Sequence, residues 1–406
     1  MTSRRQIDTT LLFAARIVRL FAFGALSIVL ALYLEAIGFT PGRIGLVFTI
    51  TLAGDAALSL AMATWADRLG RRRMLVAGAG LLALAGATMA ITRSPLAVVI
   101  VAFVGVLSPS GNEAGPFLSI EQAALAQILP DDRRTRAFGW YSMAGSFATA
   151  AGALAGGGAS RLLQEGGHSA VESYRFVLGG YAACGVALGL IFLAVSAAVE
   201  PARQPSARAA LGLTRSKKTV LKLSALFGLD AFGGGFVVQS IVAYWFHLRF
   251  GVDVAALGAI FFVANALAGL SAPVAARLAA RFGLVETMVF THIPSNLLLC
   301  LVPLMPDARL ATGVLLARFA ISQMDVPTRQ SYTMAVVDPD ERSAAAGITS
   351  TARSIGAAIA PSLSGSLIAI PAMMSAPFLI AGGLKIVYDL LLYRSFRALR
   401  PPEERG

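Results

Sequence analysis

Long apolar runs alternate with short polar ones along the whole chain. Between turn and charge signals, the runs place crossings near 11–34, 44–65, 74–92, 95–125, 137–160, 176–197, 223–248, 254–276, 284–305, 310–335, 344–370 and 372–393. An α-helix needs about 20 apolar residues to pass through the hydrocarbon core of a bilayer. The pattern therefore predicts an all-α membrane protein of twelve transmembrane helices. Crossing 4 is interrupted at residues 108–116, where two prolines and two glycines cannot sustain an ordinary helix. A break is expected there, and unwound backbone at membrane depth is tolerated only against protein or water.

Composition agrees with this pattern: 56% of residues are hydrophobic, 14% are charged, and the mean hydropathy is +0.72. Of the 34 lysines and arginines, six lie in outer loops, six lie inside crossings, and the rest are cytoplasmic if the N-terminus is inside. That bias orients the chain as a multi-pass protein of a bacterial cytoplasmic (inner) membrane, with both termini cytoplasmic. The net charge of +12 does not indicate nucleic acid, because the basic residues are spread over alternate loops instead of forming one patch. Cys184 and Cys300 lie far apart in apolar runs and suggest neither a disulfide nor a metal cluster. Arg4 and Arg5 precede a run that continues to Leu34 and is interrupted by Arg16 and Arg19, so it reads as the first crossing and not as a signal peptide.

A polar, basic stretch around residues 200–222 separates two halves that repeat one another. At an offset of 208, Asp132, Arg134, Thr135, Ala137 and Gly139 fall on Asp340, Arg342, Ser343, Ala345 and Gly347; at 213, Gly38, Gly45 and Gly70 fall on Gly251, Gly258 and Gly283. The expected organisation is an N-terminal six-helix bundle over 1–197, a cytoplasmic linker over 198–222 and a C-terminal six-helix bundle over 223–406. Repeats of this kind place a substrate site where the halves meet.

Between crossings 2 and 3, residues 65–73 read Trp-Ala-Asp-Arg-Leu-Gly-Arg-Arg-Arg. This loop resembles the cytoplasmic loop between helices 2 and 3 of the major facilitator superfamily of membrane transporters. Asp67, Arg68, Gly70, Arg71 and Arg72 match it, and Ala63 replaces a glycine. On crossing 5, residues 148–157 look like the glycine–proline signature of the family's antiporters, with alanine at Ala148 and Ala153 in place of glycine and proline; crossing 11 keeps Pro361 in the equivalent segment. The resemblance implies the major facilitator fold of two pseudo-symmetric bundles, a cavity lined by crossings 1, 4, 7 and 10, and alternating access. It also implies a cytoplasmic gate of Asp67, Arg68, Gly70, Arg71 and Arg72, with Arg353 of crossing 11 meeting Asp67.

Charges inside crossings are costly and mark the candidate substrate or proton site. Arg16 and Arg19, one turn apart on crossing 1, are a candidate clamp for an anion, with snorkelling to the inner surface as the alternative. Glu113 lies in the break of crossing 4. Glu121, which has no basic neighbour in sequence, either pairs with an arginine of another helix or is protonated. Asp230 precedes three glycines on crossing 7. Arg318, Asp325 and Arg329 share one face of crossing 10 if that helix is continuous. Asp55 on crossing 2 is either a second protonation site or hydrogen-bonded to a neighbour, and Lys385 and Asp389 are expected to pair as i and i+4.

Nothing in the chain matches a Walker loop, a zincin pair or a nucleophile elbow, and His168, His247 and His292 lie on separate segments. No enzyme, cofactor or metal is expected. The expected protein is a monomeric secondary active transporter of a small molecule, with protons and the bilayer as its other partners. Proton-coupled export is the first reading, and a symporter or exchanger for a small anion is the second.

Overall fold

The computed structural model describes residues 3–112, 117–200, 215–338 and 341–397. Among them every regular element is helical. The N-terminal elements are α1 (Ser3–Ala36), α2 (Pro41–Leu69), α3 (Arg71–Ile91), α4 (Pro95–Val104), α5 (Phe117–Ile128), α6 (Asp131–Glu165) and α7 (Ala170–Ala194). They are followed by α8 (Lys217–Gly235), α9 (Gln239–Phe250), α10 (Val254–Phe282), α11 (Leu284–Leu301), α12 (Ala308–Phe319), α13 (Asp325–Ala335), α14 (Arg342–Ile368) and α15 (Ala376–Phe396). Crossings 4, 7 and 10 each consist of two helices, so the elements fall on the twelve predicted crossings. Eight helical stretches among the described residues are long and apolar enough to span a bilayer.

Local chemistry sets the ends of these helices. Pro95 begins α4 behind the Ser94 cap, Asp307 accepts from the amides of Arg309 and Leu310 at the start of α12, and Ser169 and Glu172 close a capping box on α7. Two of the repeated glycine pairs also share a backbone conformation. Gly70 and Gly283 turn the chain at φ 102° and 96°, and Gly38 and Gly251 do so at 97° and 66°. Side chains at such angles are strained, so glycine recurs at these turns.

The break in crossing 4 begins at Gly105, three residues before the predicted segment, and runs through Asn112; residues 113–116 of that segment lie outside the described residues. The carbonyls freed by the unwound backbone are taken up by neighbours. Tyr181 donates to the carbonyl of Val106, the Ser240 amide to Pro109 at 2.9 Å, and Thr149 to Gly111 at 3.2 Å. Crossing 10 is also broken, which corrects the expectation of a continuous face. The chain turns between Phe319 and Asp325, and α13 restarts with Pro327 in its first turn, where a missing amide hydrogen leaves no helical bond unmade.

Contacts divide the chain into two compact units: Met1–Gln204 with Val238–Ala266, and Pro205–Val237 with Leu267–Gly406. This division differs from the linear halves, because α9 and the start of α10 belong with the N-terminal helices. Gln239 donates to the Ser27 hydroxyl at 2.7 Å and Asn265 to Gln239 at 3.1 Å, while Ser240 donates to the Ser27 carbonyl at 2.8 Å and Tyr244 to Glu35 at 2.9 Å. α1 forms the axis of the first unit, and Phe23, Leu26, Ile28, Val29, Leu30 and Tyr33 are fully buried. In the second unit Leu223, Phe227, Met288, Tyr332, Tyr388 and Leu392 form the apolar core.

Candidate functional site

In the first unit α1 carries Arg19 and α5 carries Glu121. Their side chains meet through two parallel bonds, Nη1 to Oε1 at 2.6 Å and Nη2 to Oε2 at 2.7 Å, and both are fully buried. Tyr141 of α6 adds a hydrogen bond to Glu121, and the Phe117 ring lies 4.6 Å beneath the Arg19 guanidinium. Glu121 therefore pairs with an arginine of another helix, the first of its two alternatives. Arg19 does not snorkel. Arg16 lies one turn away with its guanidinium 4.3 Å above the Tyr141 ring. The cluster thus sets the Arg16 guanidinium beside the Arg19–Glu121 pair through the shared Tyr141.

In the second unit the charges converge on Asp230 of α8. Lys385 of α15 donates to Oδ1 at 2.6 Å, Arg353 of α14 to Oδ2 at 3.0 Å, and Arg329 of α13 to Oδ2 at 3.4 Å. Asp325 holds Arg329 from one turn back at 2.7 Å. Asp230 is able to sit deep because so many donors surround it; a lone carboxylate at this depth would be too costly. The local backbone makes the room: a Cβ at Gly233 would stand 3.1 Å from Cγ of Lys385, so glycine there lets the lysine stem pass.

Several predicted residues have other surroundings. Lys385 goes to Asp230 and not to Asp389, and Asp389 instead takes Nδ1 of His292 at 2.8 Å and the Asn296 amide at 3.1 Å. Arg318 is separated from Asp325 and Arg329 by the turn between α12 and α13 and makes no hydrogen bond to either; its guanidinium lies 5.3 Å from the Phe319 ring, and its Nε has no hydrogen-bond partner among the described residues. Glu113 and the side chains of Asp67 and Arg68 lie outside the described residues. The partner found for Arg353 is Asp230. Gly70 makes the turn between α2 and α3, where the amides of Arg71 and Arg72 donate to the Glu200 carboxylate at 2.7 and 3.2 Å. The Arg71 side chain bonds Gln127 and the carbonyl of Val199, and Arg72 reaches the carbonyl of Leu193. These loop arginines hold the chain that follows α7 within their own unit.

Sequence reasoning missed His292, Asn296 and Asp389 as members of the second cluster. One signal was available: His292 and Asn296 are i and i+4 on a helix long and apolar enough to span a bilayer, so both face the same way.

Among the described residues every regular element is a helix, eight stretches are long and apolar enough to span a bilayer, and ionised side chains are buried between them, which defines a multi-pass membrane protein. A profile described as Major Facilitator Superfamily matches residues 12–361 and, in a second register, 249–406. The chain belongs to that superfamily, whose members are transporters and not enzymes. It is 28% identical over 417 residues to the uncharacterized membrane protein YJR124C of Saccharomyces cerevisiae, covering 95% of this chain and 93% of that one. The solved structure of the nucleoside transporter NupG is similar, with a TM-score of 0.74, 16% identity and coverage of 96% of this chain and 99% of that chain. So is that of a D-xylose-proton symporter, with a TM-score of 0.73, 13% identity and coverage of 95% and 97%. At such identities the solved structures establish the fold alone.

Proposed function

We propose that the protein is a proton-coupled secondary transporter that carries a small organic or inorganic anion together with protons across a cytoplasmic membrane, with both termini inside. The observation that carries this reading is the charge balance around Asp230. Arg329, Arg353 and Lys385 hold its two oxygens at 2.6 to 3.4 Å. Arg318 adds a fourth cation within electrostatic reach of Asp325. Among the described residues the carboxylates of this cluster are Asp230, Asp325 and Asp389, the last bonded to His292 and Asn296.

A proton taken up by this cluster cancels carboxylate charge and leaves a guanidinium to receive an anion. An anion bound there favours the proton in turn. The two ligands therefore reinforce one another, and the coupling is reciprocal by linkage. That is the sign required for moving together. Export driven by proton exchange needs the opposite sign, with proton and cargo competing for one carboxylate. Asp230 has both oxygens engaged by cations, which supports cotransport. The small residues of crossing 5 have a packing role as well, since Gly152 and Gly156 lie against the backbone of α1.

The test is thermal unfolding of the purified protein with phosphate, succinate, benzoate and a panel of cationic antibiotics, at mildly acidic and mildly alkaline pH. Anions should stabilise it, and more strongly in acid. Uptake of the stabilising anion into proteoliposomes should follow an inward proton gradient and disappear in Arg329→Ala. Stabilisation by cationic compounds that weakens in acid would establish proton-exchange export instead.

A further inference from the structure

His292 of α11 lies between two carboxylates. Its Nδ1 is 2.8 Å from Oδ1 of Asp389, and its Nε2 is 3.9 Å from Oδ1 of Asp230. The residue is 6% exposed, and its ring meets Tyr388 edge-on at a centroid distance of 5.9 Å. Asn296, one turn further along α11, secures the other oxygen of Asp389 at 3.1 Å. The titratable and charged groups around this ring are Tyr388 and Asp389 of α15 and Asp230 of α8 in direct approach, with Lys385 of α15, Arg329 of α13 and Arg353 of α14 reaching it through Asp230, and Asp325 of α13 through Arg329; α12, which also packs on α11, carries Arg318.

An ionised carboxylate only accepts hydrogen bonds, so the contact with Asp389 places a hydrogen on Nδ1. In a neutral imidazole Nε2 then presents a bare lone pair toward Asp230, acceptor against acceptor. A proton from water, bound at Nε2, turns that approach into a donor facing an acceptor. Asp230 then carries one negative charge against four cationic partners, and their mutual repulsion weakens the one held least firmly. Lys385 is the closest at 2.6 Å, and Arg329 is tethered a second time by Asp325 at 2.7 Å. Arg353 has no second carboxylate among the described residues, and its side chain is 34% exposed against 10% and 11% for Arg329 and Lys385.

We propose that His292 is the proton-carrying group of this unit and that Arg353 is the cation its proton displaces from Asp230. The inference rests on the anion-cotransport reading, for which it names the proton site and the released guanidinium. Asp389 is then a positioning residue, which fixes the ring so that Nε2 faces Asp230. Asn296 holds Asp389 in the same way.

Histidine NMR on the full-length protein in lipid nanodiscs tests this without any cargo. The chain has 3 histidines, and His292→Gln assigns the signal of interest. His292 should titrate reversibly and carry hydrogens on both ring nitrogens in its acid form. Asp389→Asn should weaken proton binding at His292 about tenfold, because one carboxylate partner loses its charge. Arg353→Gln should strengthen it by about the same factor, because a competing cation is gone. A His292 that keeps one neutral tautomer throughout, or a titration that Arg353→Gln leaves unmoved, overturns the proposal. If Asp389→Asn does not fold, the half-exposed Arg353→Gln decides alone. A titrating, Arg353-sensitive His292 in a protein that moves no anion would overturn the cotransport reading and leave this one standing. An anion moved by a protein whose His292 is unresponsive would do the reverse.

Discussion

Arg19 and Glu121, 102 residues apart in the chain, are joined by two parallel hydrogen bonds of 2.6 and 2.7 Å with no exposure of either side chain. Removing Glu121 takes away the carboxylate that receives both terminal nitrogens of the buried Arg19 guanidinium. Glu121→Gln should therefore cost about 3–5 kcal/mol of stability. Replacing both at once, Arg19→Met with Glu121→Leu, removes both charges and should recover most of that loss. Thermal unfolding of the three variants in one detergent checks it, and equal losses for the single and double variants would refute the argument.

Asp230 accepts hydrogen bonds from three cations, whereas among the described residues Arg329 is the one cation that hydrogen-bonds Asp325. Asp230→Asn should lower the unfolding temperature further than Asp325→Asn does. Adding Lys385→Met to Asp230→Asn removes one of the stranded cations and should restore part of the loss, a coupling that a double-mutant cycle measures. Strict additivity would show that the lysine and the aspartate act independently.

α8 and α14 approach closely through glycine. A Cβ on Gly356 would press into the carbonyl of Gly228, while one on Gly383 of α15 meets nothing within 4 Å. Gly356→Ala should cost about 1–3 kcal/mol by overpacking, whereas Gly383→Ala should stay within about 0.5 kcal/mol of the parent. Chemical or thermal unfolding distinguishes the two.

Gln239 joins Ser27 of α1 to Asn265 of α10, and its neighbours Ser240 and Tyr244 also bond α1. Gln239→Leu leaves the Ser27 hydroxyl and the Asn265 amide short of a partner. Amide hydrogen exchange within α9 should accelerate, while that of α15 should stay as it was. Unchanged protection across α9 would mean that apolar packing alone holds it to α1.

The chain by itself determined the helices, the break within crossing 4, and the turns at Gly70 and Gly283. These follow from rules that act over a few residues: the thickness of the hydrocarbon core, the hydrogen bond that proline lacks, and the backbone angles open to glycine. The Asp325–Arg329 contact is of the same kind, because i and i+4 are neighbours on any helix. Tertiary structure alone decided which distant charges would meet. Lys385 has Asp389 one turn away, yet it reaches Asp230, because Gly233 lets α15 lie close enough for its stem to pass. Asp389 turns to His292 and Asn296 for the same reason, since in an apolar interior a charge pairs with the donor nearest in space. The assignment of α9 to the first unit likewise depends on Ser27 and Glu35, which its own sequence does not contain. A periodicity records only which face of a helix is polar, and the identity of the groups opposite that face is a property of the packed molecule.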